Sequence, residues 1–227
     1  IMETSSESSG KYFLMIRHGE RLDYLTNEER KNIVEIADPG LSRDGHYQAF
    51  KSGEFISDFC KLKNISKIKI YSSPTVRTTQ TAVQIAKVLT VPFVTLDNRF
   101  VEWMKRPFLL KPLDELEVRL RGPQNFKEKY LAGEDTEIID LKNNMEEMKN
   151  QFPEKMNASF NRIKDSVKEI FKEENQEFEL VIVVTHLFGL EALSMEFNGE
   201  SPNKNYCTMS VVEIDQEADN HKYIIDC

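Results

Sequence analysis

Five aliphatic residues without a break, Leu180-Val181-Ile182-Val183-Val184, constrain this chain more than any other stretch. A strand with one wet face alternates apolar and polar residues, so an unbroken run belongs to a strand covered on both sides. Helices must then lie above and below it, in a mainly parallel sheet. Tyr12-Phe13-Leu14-Met15-Ile16 reads as a second buried strand, and 68–71, 92–96, 211–214 and 223–225 as shorter ones. Between them, Ser42 caps a helix through about Leu62, with Phe55, Ile56, Phe59 and Leu62 on one face. Ser73 is the expected N-cap of another, with Pro74 in its first turn and Ala82, Ile85, Ala86 and Leu89 at helical spacing. Phe160, Ile163, Val167, Ile170 and Phe171 form a third stripe. This alternation predicts an α/β fold, a three-layer αβα sandwich with a mainly parallel central sheet and helices on both faces.

A chain of 227 residues accommodates one large domain. Residues 1–10 are polar and Ser-rich and are expected to be a disordered tail, with the domain over 11–227. From Trp103 to about 156 the rhythm breaks into a charged stretch interrupted by Pro107, Pro112, Pro123 and Pro153. We expect a partly helical insertion there, capping the active edge of the sheet. The net charge of −8 argues against nucleic acid or an anionic membrane as partner. Three cysteines without CxxC spacing fit a reducing compartment and no zinc site, and the default location is cytoplasmic.

Three strands end in related polar residues: Arg17-His18 after the first, Ser72-Ser73 and then Arg77 after the second, Thr185-His186 after the aliphatic one. Ligands of open parallel sheets bind outside the carboxyl ends of the strands, so these sets should meet at one rim. Two histidines among arginines suit phosphoryl transfer. Guanidinium forks match phosphate oxygens, whereas they would repel a metal cation. Acyl transfer fits less well, because Ser72 and Ser73 lack the glycine-framed nucleophile elbow. His46 and His221 read as structural or solvated, and Gly19 and Gly45 as serving backbone geometry.

Arg17-His18-Gly19-Glu20, Leu41-Ser42-Arg43-Asp44-Gly45 with Gln48-Ala49, Tyr71-Ser72-Ser73-Pro74 with Arg77-Thr78-Thr79-Gln80-Thr81-Ala82, and Val184-Thr185-His186 resemble, in order and spacing, the histidine phosphatase superfamily, once called phosphoglycerate-mutase-like. Arg21-Leu22-Asp23 and Glu102-Trp103 look most like the phosphatase domains of suppressor-of-T-cell-receptor-signalling proteins. The resemblance implies a metal-independent phosphomonoester hydrolase with His18 as the nucleophile that becomes phosphohistidine. Arg17, Arg77, His186 and Arg21 would hold the phosphoryl oxygens, with no cofactor required. Glu102 is the first candidate for the proton donor, and Glu20 and Glu191 are its rivals. The implied partner is a phosphorylated small molecule or phosphoprotein, aryl if Trp103, Phe108 or Phe188 line the pocket, and a homodimer is implied as well. The runners-up are a non-catalytic phosphate-binding scaffold and, less favoured, a phosphoglycerate mutase. Arg21-Leu22-Asp23-Tyr24 stands where mutases carry Ser-x-Trp-Asn.

Overall fold

The computed structural model describes residues 10–24, 38–105, 113–131, 134–141, 146, 148, 152–174, 177–197, 199–214 and 222–226, the last as backbone. Most of the tail 1–10, together with Pro107, Phe108, Pro112, His221 and Cys227, lies outside the described residues. The elements are β1 (Lys11–Arg17), α1 (Arg43–Lys63), β2 (Ile68–Ser72), α2 (Val76–Leu89), β3 (Phe93–Leu96), α3 (Glu117–Tyr130), β4 (Glu137–Asp140), α4 (Met156–Glu174), β5 (Leu180–Thr185), α5 (Leu187–Phe197), β6 (Met209–Ile214) and β7 (Lys222–Asp226). The strands form one seven-stranded sheet in the order β4-β3-β2-β5-β1-β6-β7. Pairing is parallel from β4 through to β1 and antiparallel for β6 and β7.

The aliphatic run is β5, all six of its residues buried between β1 and β2. Alternation along each central strand divides its side chains between two cores. Leu14, Ile16, Ile182 and Val184 pack with Ile56 of α1, Ile85 of α2 and Val118 and Phe126 of α3. Phe13, Met15, Val181 and Val183 pack on the other face with Ile163, Val167 and Ile170 of α4 and Leu190 of α5. Each such side chain contributes about 1.5–3 kcal/mol by leaving water, which is why continuous apolar runs settle in the middle of the sheet.

Three expectations need correction. Helix α1 is capped by Ser42 as expected, but Phe55 and Leu62 are exposed; the buried stripe is Ala49, Ser52, Gly53, Ile56 and Cys60, with Phe59 beside it. Helix α2 begins at Val76, with Thr75 as its N-cap, because the Ser73 hydroxyl is engaged with His186. The stretch 103–156 is not wholly an insertion. Strand β4 extends the sheet, and Val118, Phe126 and Leu131 join the main core. Its edge position leaves half of its side chains exposed, so the residues carry no buried-strand pattern.

Candidate active site

Register brings the chemistry together. Arg17 of β1 lies opposite Thr185 of β5, and Ser72 of β2 lies opposite Val184. The ladder runs one residue beyond the strands, with the His18 amide donating to the Thr185 carbonyl at 3.0 Å and the Ser73 amide to the Val184 carbonyl at 2.9 Å. His18, Ser73 and His186 are thereby set side by side, and the His18 and His186 ring centroids are 5.4 Å apart. The expected convergence at one rim is what the structure contains.

His18 is buried, and its Nδ1 lies 2.7 Å from the Gly19 carbonyl oxygen. A carbonyl only accepts, so Nδ1 carries the proton and the lone pair resides on Nε2. Burial, reinforced by the Arg77 charge, holds the imidazole well below its ordinary pKa. His18 is therefore neutral and nucleophilic at physiological pH.

His186 is fully buried, and burial followed by the Arg77 charge lowers its pKa in the same way. Arg77 Nη2 donates to its Nδ1 at 3.2 Å, so the ring proton is on Nε2, which donates to Ser73 Oγ at 2.9 Å. Glu102 Oε2 lies 3.4 Å from the same Nδ1. The lone pair of Nδ1 already faces Arg77, so a carboxylate at Glu102 finds no donor at this nitrogen. Burial raises the Glu102 pKa, against the pull of Arg77 and of the Trp103 amide, which donates to Oε1 at 3.2 Å. Burial therefore favours the protonated form of Glu102 more than in an exposed glutamate. Of the rivals, Glu20 accepts the Ser42 hydroxyl at 2.7 Å and serves the cap of α1, while Glu191 sits in the second turn of α5.

The arginines differ in how they are held. Arg77 is 3% exposed and stretches between His186 and the buried carboxylate of Asp38, whose Oδ1 is 3.7 Å from Nη1. Arg17 lies 4.3 Å from the centroid of the Tyr206 ring and donates Nη1 to the Lys204 carbonyl. Arg21 presents Nε and Nη2 to Asp23 at 2.8 and 2.6 Å, so part of its fork is committed within the chain. Its charge is still felt by both histidines. Beside Glu102, Trp103 stacks on Phe188 at 5.5 Å, and Phe160 meets Phe188 edge-on at 4.4 Å.

The sequence did not mark Asp38, the hydroxyl of Ser73, or Tyr206, whose ring centroid is 5.9 Å from that of His18. Asp38-Pro39-Gly40 reads as a turn, and Tyr206 lies in the loop before β6 with no motif around it.

The family model for the histidine phosphatase superfamily, branch 1, matches residues 13–224. The chain belongs to this superfamily. Among solved structures, this chain is similar to the ecdysone phosphate phosphatase of the silkworm Bombyx mori, with a TM-score of 0.63 and 16% identity over 95% of this chain and 92% of that one. It is similar to a phosphoserine phosphatase from Entamoeba histolytica, with a TM-score of 0.57 and 16% identity over 95% and 96% of the two chains. A phosphoglycerate mutase from Bacillus anthracis superposes with a TM-score of 0.59 and 16% identity over 96% and 93%. At such identities the likeness is one of fold. A comparison with curated proteins gave no match.

Proposed function

We propose that this histidine phosphatase is a metal-independent phosphomonoester hydrolase working through a phosphohistidine. The supporting observation is the tautomer of His18: Nδ1–H donates to the Gly19 carbonyl, leaving the Nε2 lone pair in a buried setting governed by Arg77, Arg17 and Arg21. In the first step Nε2 attacks phosphorus in line, the ester P–O bond breaks, and Glu102 gives its proton to the departing oxygen. In the second, the Glu102 carboxylate takes a proton from water, the new hydroxide oxygen attacks phosphorus, and the P–N bond breaks. Inorganic phosphate leaves, and both side chains return to their starting states. The guanidiniums stabilise charge on the equatorial oxygens, where positioned positive charge does most of the work of phosphoryl transfer. His186 joins them when a phosphoryl oxygen competes with Ser73 for its Nε2 proton.

For the leaving group we favour an aryl phosphate such as phosphotyrosine over a small aliphatic metabolite. Trp103 adjoins Glu102 in the chain, Phe188 follows His186 by two residues, and their stacked rings form an apolar surface next to the proton donor. The likeness of Glu20-Arg21-Leu22-Asp23 and Glu102-Trp103 to suppressor-of-T-cell-receptor-signalling phosphatase domains points the same way.

The test is a phosphate-release panel of aryl and alkyl monoesters, run with and without EDTA, on wild type and His18→Ala. Turnover is expected to survive EDTA and to fall on the order of 10³-fold or more in the variant. Quenching in alkaline denaturant, which preserves the acid-labile P–N bond, should trap a phosphorylated wild-type protein only. Equal turnover by His18→Ala removes this reading, and phosphate binding without turnover of any ester identifies the scaffold instead.

A further inference from the structure

Asp38 is 1% exposed, an expensive place for a carboxylate unless its charge has work to do. Its Oδ1 accepts the Val76 amide at 3.0 Å, at the first residue of α2, and its Oδ2 faces the Glu117 amide at 3.4 Å, at the first residue of α3. Neither helix is capped by the side chain of its own N-cap residue, Thr75 or Leu116. One carboxylate therefore joins the open ends of two helices, and Oδ1 also lies 3.7 Å from Arg77 Nη1. The Nε of Arg77 is buried and meets no acceptor among the described residues. Among the described residues, that guanidinium is oriented by Asp38 at one nitrogen and by His186 at another.

We propose that Asp38 is a positioning residue for Arg77, holding one end of its guanidinium against the start of α2 so that the other faces His186 and the phosphoryl group. The inference rests on the phosphatase reading above and extends it to a residue remote from the reacting atoms.

Both helix starts and Arg77 favour the anion of Asp38, but only the contact with Arg77 links that charge to turnover. The groups facing it are the Arg77 guanidinium from α2 and, from α3, Glu117, which itself pairs with Arg121 and Tyr130. Burial pushes the Asp38 pKa up to about 6, with Arg77 and the two amides pulling it down and the Glu117 charge pushing it up. Above that pH the carboxylate anchors Arg77; below it the ion pair is lost. His18 stays neutral well below its usual range, so the titration of Asp38 near pH 6 should add to that of the ester in the acid limb of kcat/KM.

The experiment compares wild type, Asp38→Asn, Arg77→Gln and the double variant, by kcat/KM on p-nitrophenyl phosphate across pH and by binding of inorganic phosphate in calorimetry. Asp38→Asn is expected to lower kcat/KM on the order of 10- to 100-fold and phosphate affinity about tenfold, as for supporting-residue losses elsewhere. The acid limb should flatten, while the ionisation of the ester itself, common to both proteins, remains. In the Arg77→Gln background the same change should have no further effect on either readout. Should Asp38→Asn not fold, Asp38→Ser, whose hydroxyl keeps an acceptor for the Val76 amide, replaces it. Unchanged kcat/KM with only a lower melting temperature, or equal losses with and without Arg77, overturns the proposal. If wild type turns over no ester, the hydrolase reading fails, and the phosphate-binding cycle still decides whether Asp38 acts through Arg77.

Discussion

The Glu102 pKa is raised by a balance of opposing effects: burial drives it toward neutrality, while Arg77, the Trp103 amide, Arg21 and Arg17 favour the anion. The nearby Nδ1 of His186 already faces Arg77 and offers the anion no donor. A general acid must be protonated before the bond breaks, so activity should decline as pH rises through the raised Glu102 pKa. Glu102→Gln retains the shape and a hydrogen-bond donor but has no proton to give. We expect kcat on alkyl phosphates to fall on the order of 10²- to 10⁴-fold. p-Nitrophenyl phosphate should suffer far less, because p-nitrophenolate leaves without help, and the alkaline limb should disappear. Equal losses on both esters would show that Glu102 is not the donor. Arg17, His18, Arg77 and His186 were legible as residues because each directly follows, or lies within a turn of, a strand end. Asp38 and Tyr206 were not, since their value comes from what they touch across the fold.

Among the elements, the junction of the His18 loop with α1 is the tightest. A Cβ on Gly45 would sit 2.2 Å from the Glu20 carbonyl oxygen, and one on Gly19 would sit 2.4 Å from the Gly45 carbonyl oxygen. Two backbones pass in direct contact there, and neither can yield as a side-chain tip would. Ser42 fastens the same junction by accepting the Gly45 amide at 3.0 Å and donating to Glu20. Gly45→Ala must push the loop carrying His18 outward. It should cost about 1–3 kcal/mol of stability, as overpacking does. It should also lower kcat, read by urea denaturation and steady-state kinetics; wild-type values in both would mean the junction is loose. The glycines were readable in the sequence as backbone positions, but not the backbone each of them meets. The start of α2 was misread for a related reason. Ser73-Pro74 has the local form of a helix start, yet the Ser73 hydroxyl serves His186, and Asp38 supplies the acceptor for α2.

For the molecule as a whole, β5 is the member on which the rest is built, paired with β1 on one side and β2 on the other and covered on both faces. Ile182 is fully buried in the core shared with α1, α2 and α3. Ile182→Ala should therefore cost about 2–5 kcal/mol in chemical denaturation. A loss below 1 kcal/mol would mean that the core refills the space, contrary to its close packing. The body carries a net charge of −8, so the positive field at the rim is a local arrangement made by folding. Hydrophobic continuity along 12–16 and 180–184 was enough to determine a parallel sheet with two covered faces, because short-range periodicity reports how many sides of a strand are dry. The order of residues after those strands determined which groups could meet. The tertiary structure alone decided the rest: β4 as an edge strand, the burial that raises the Glu102 pKa, the contact of Arg77 with Asp38 and of Arg17 with the 204–206 loop. Those depend on distances between segments far apart in the chain, and on burial, which no local pattern of residues contains.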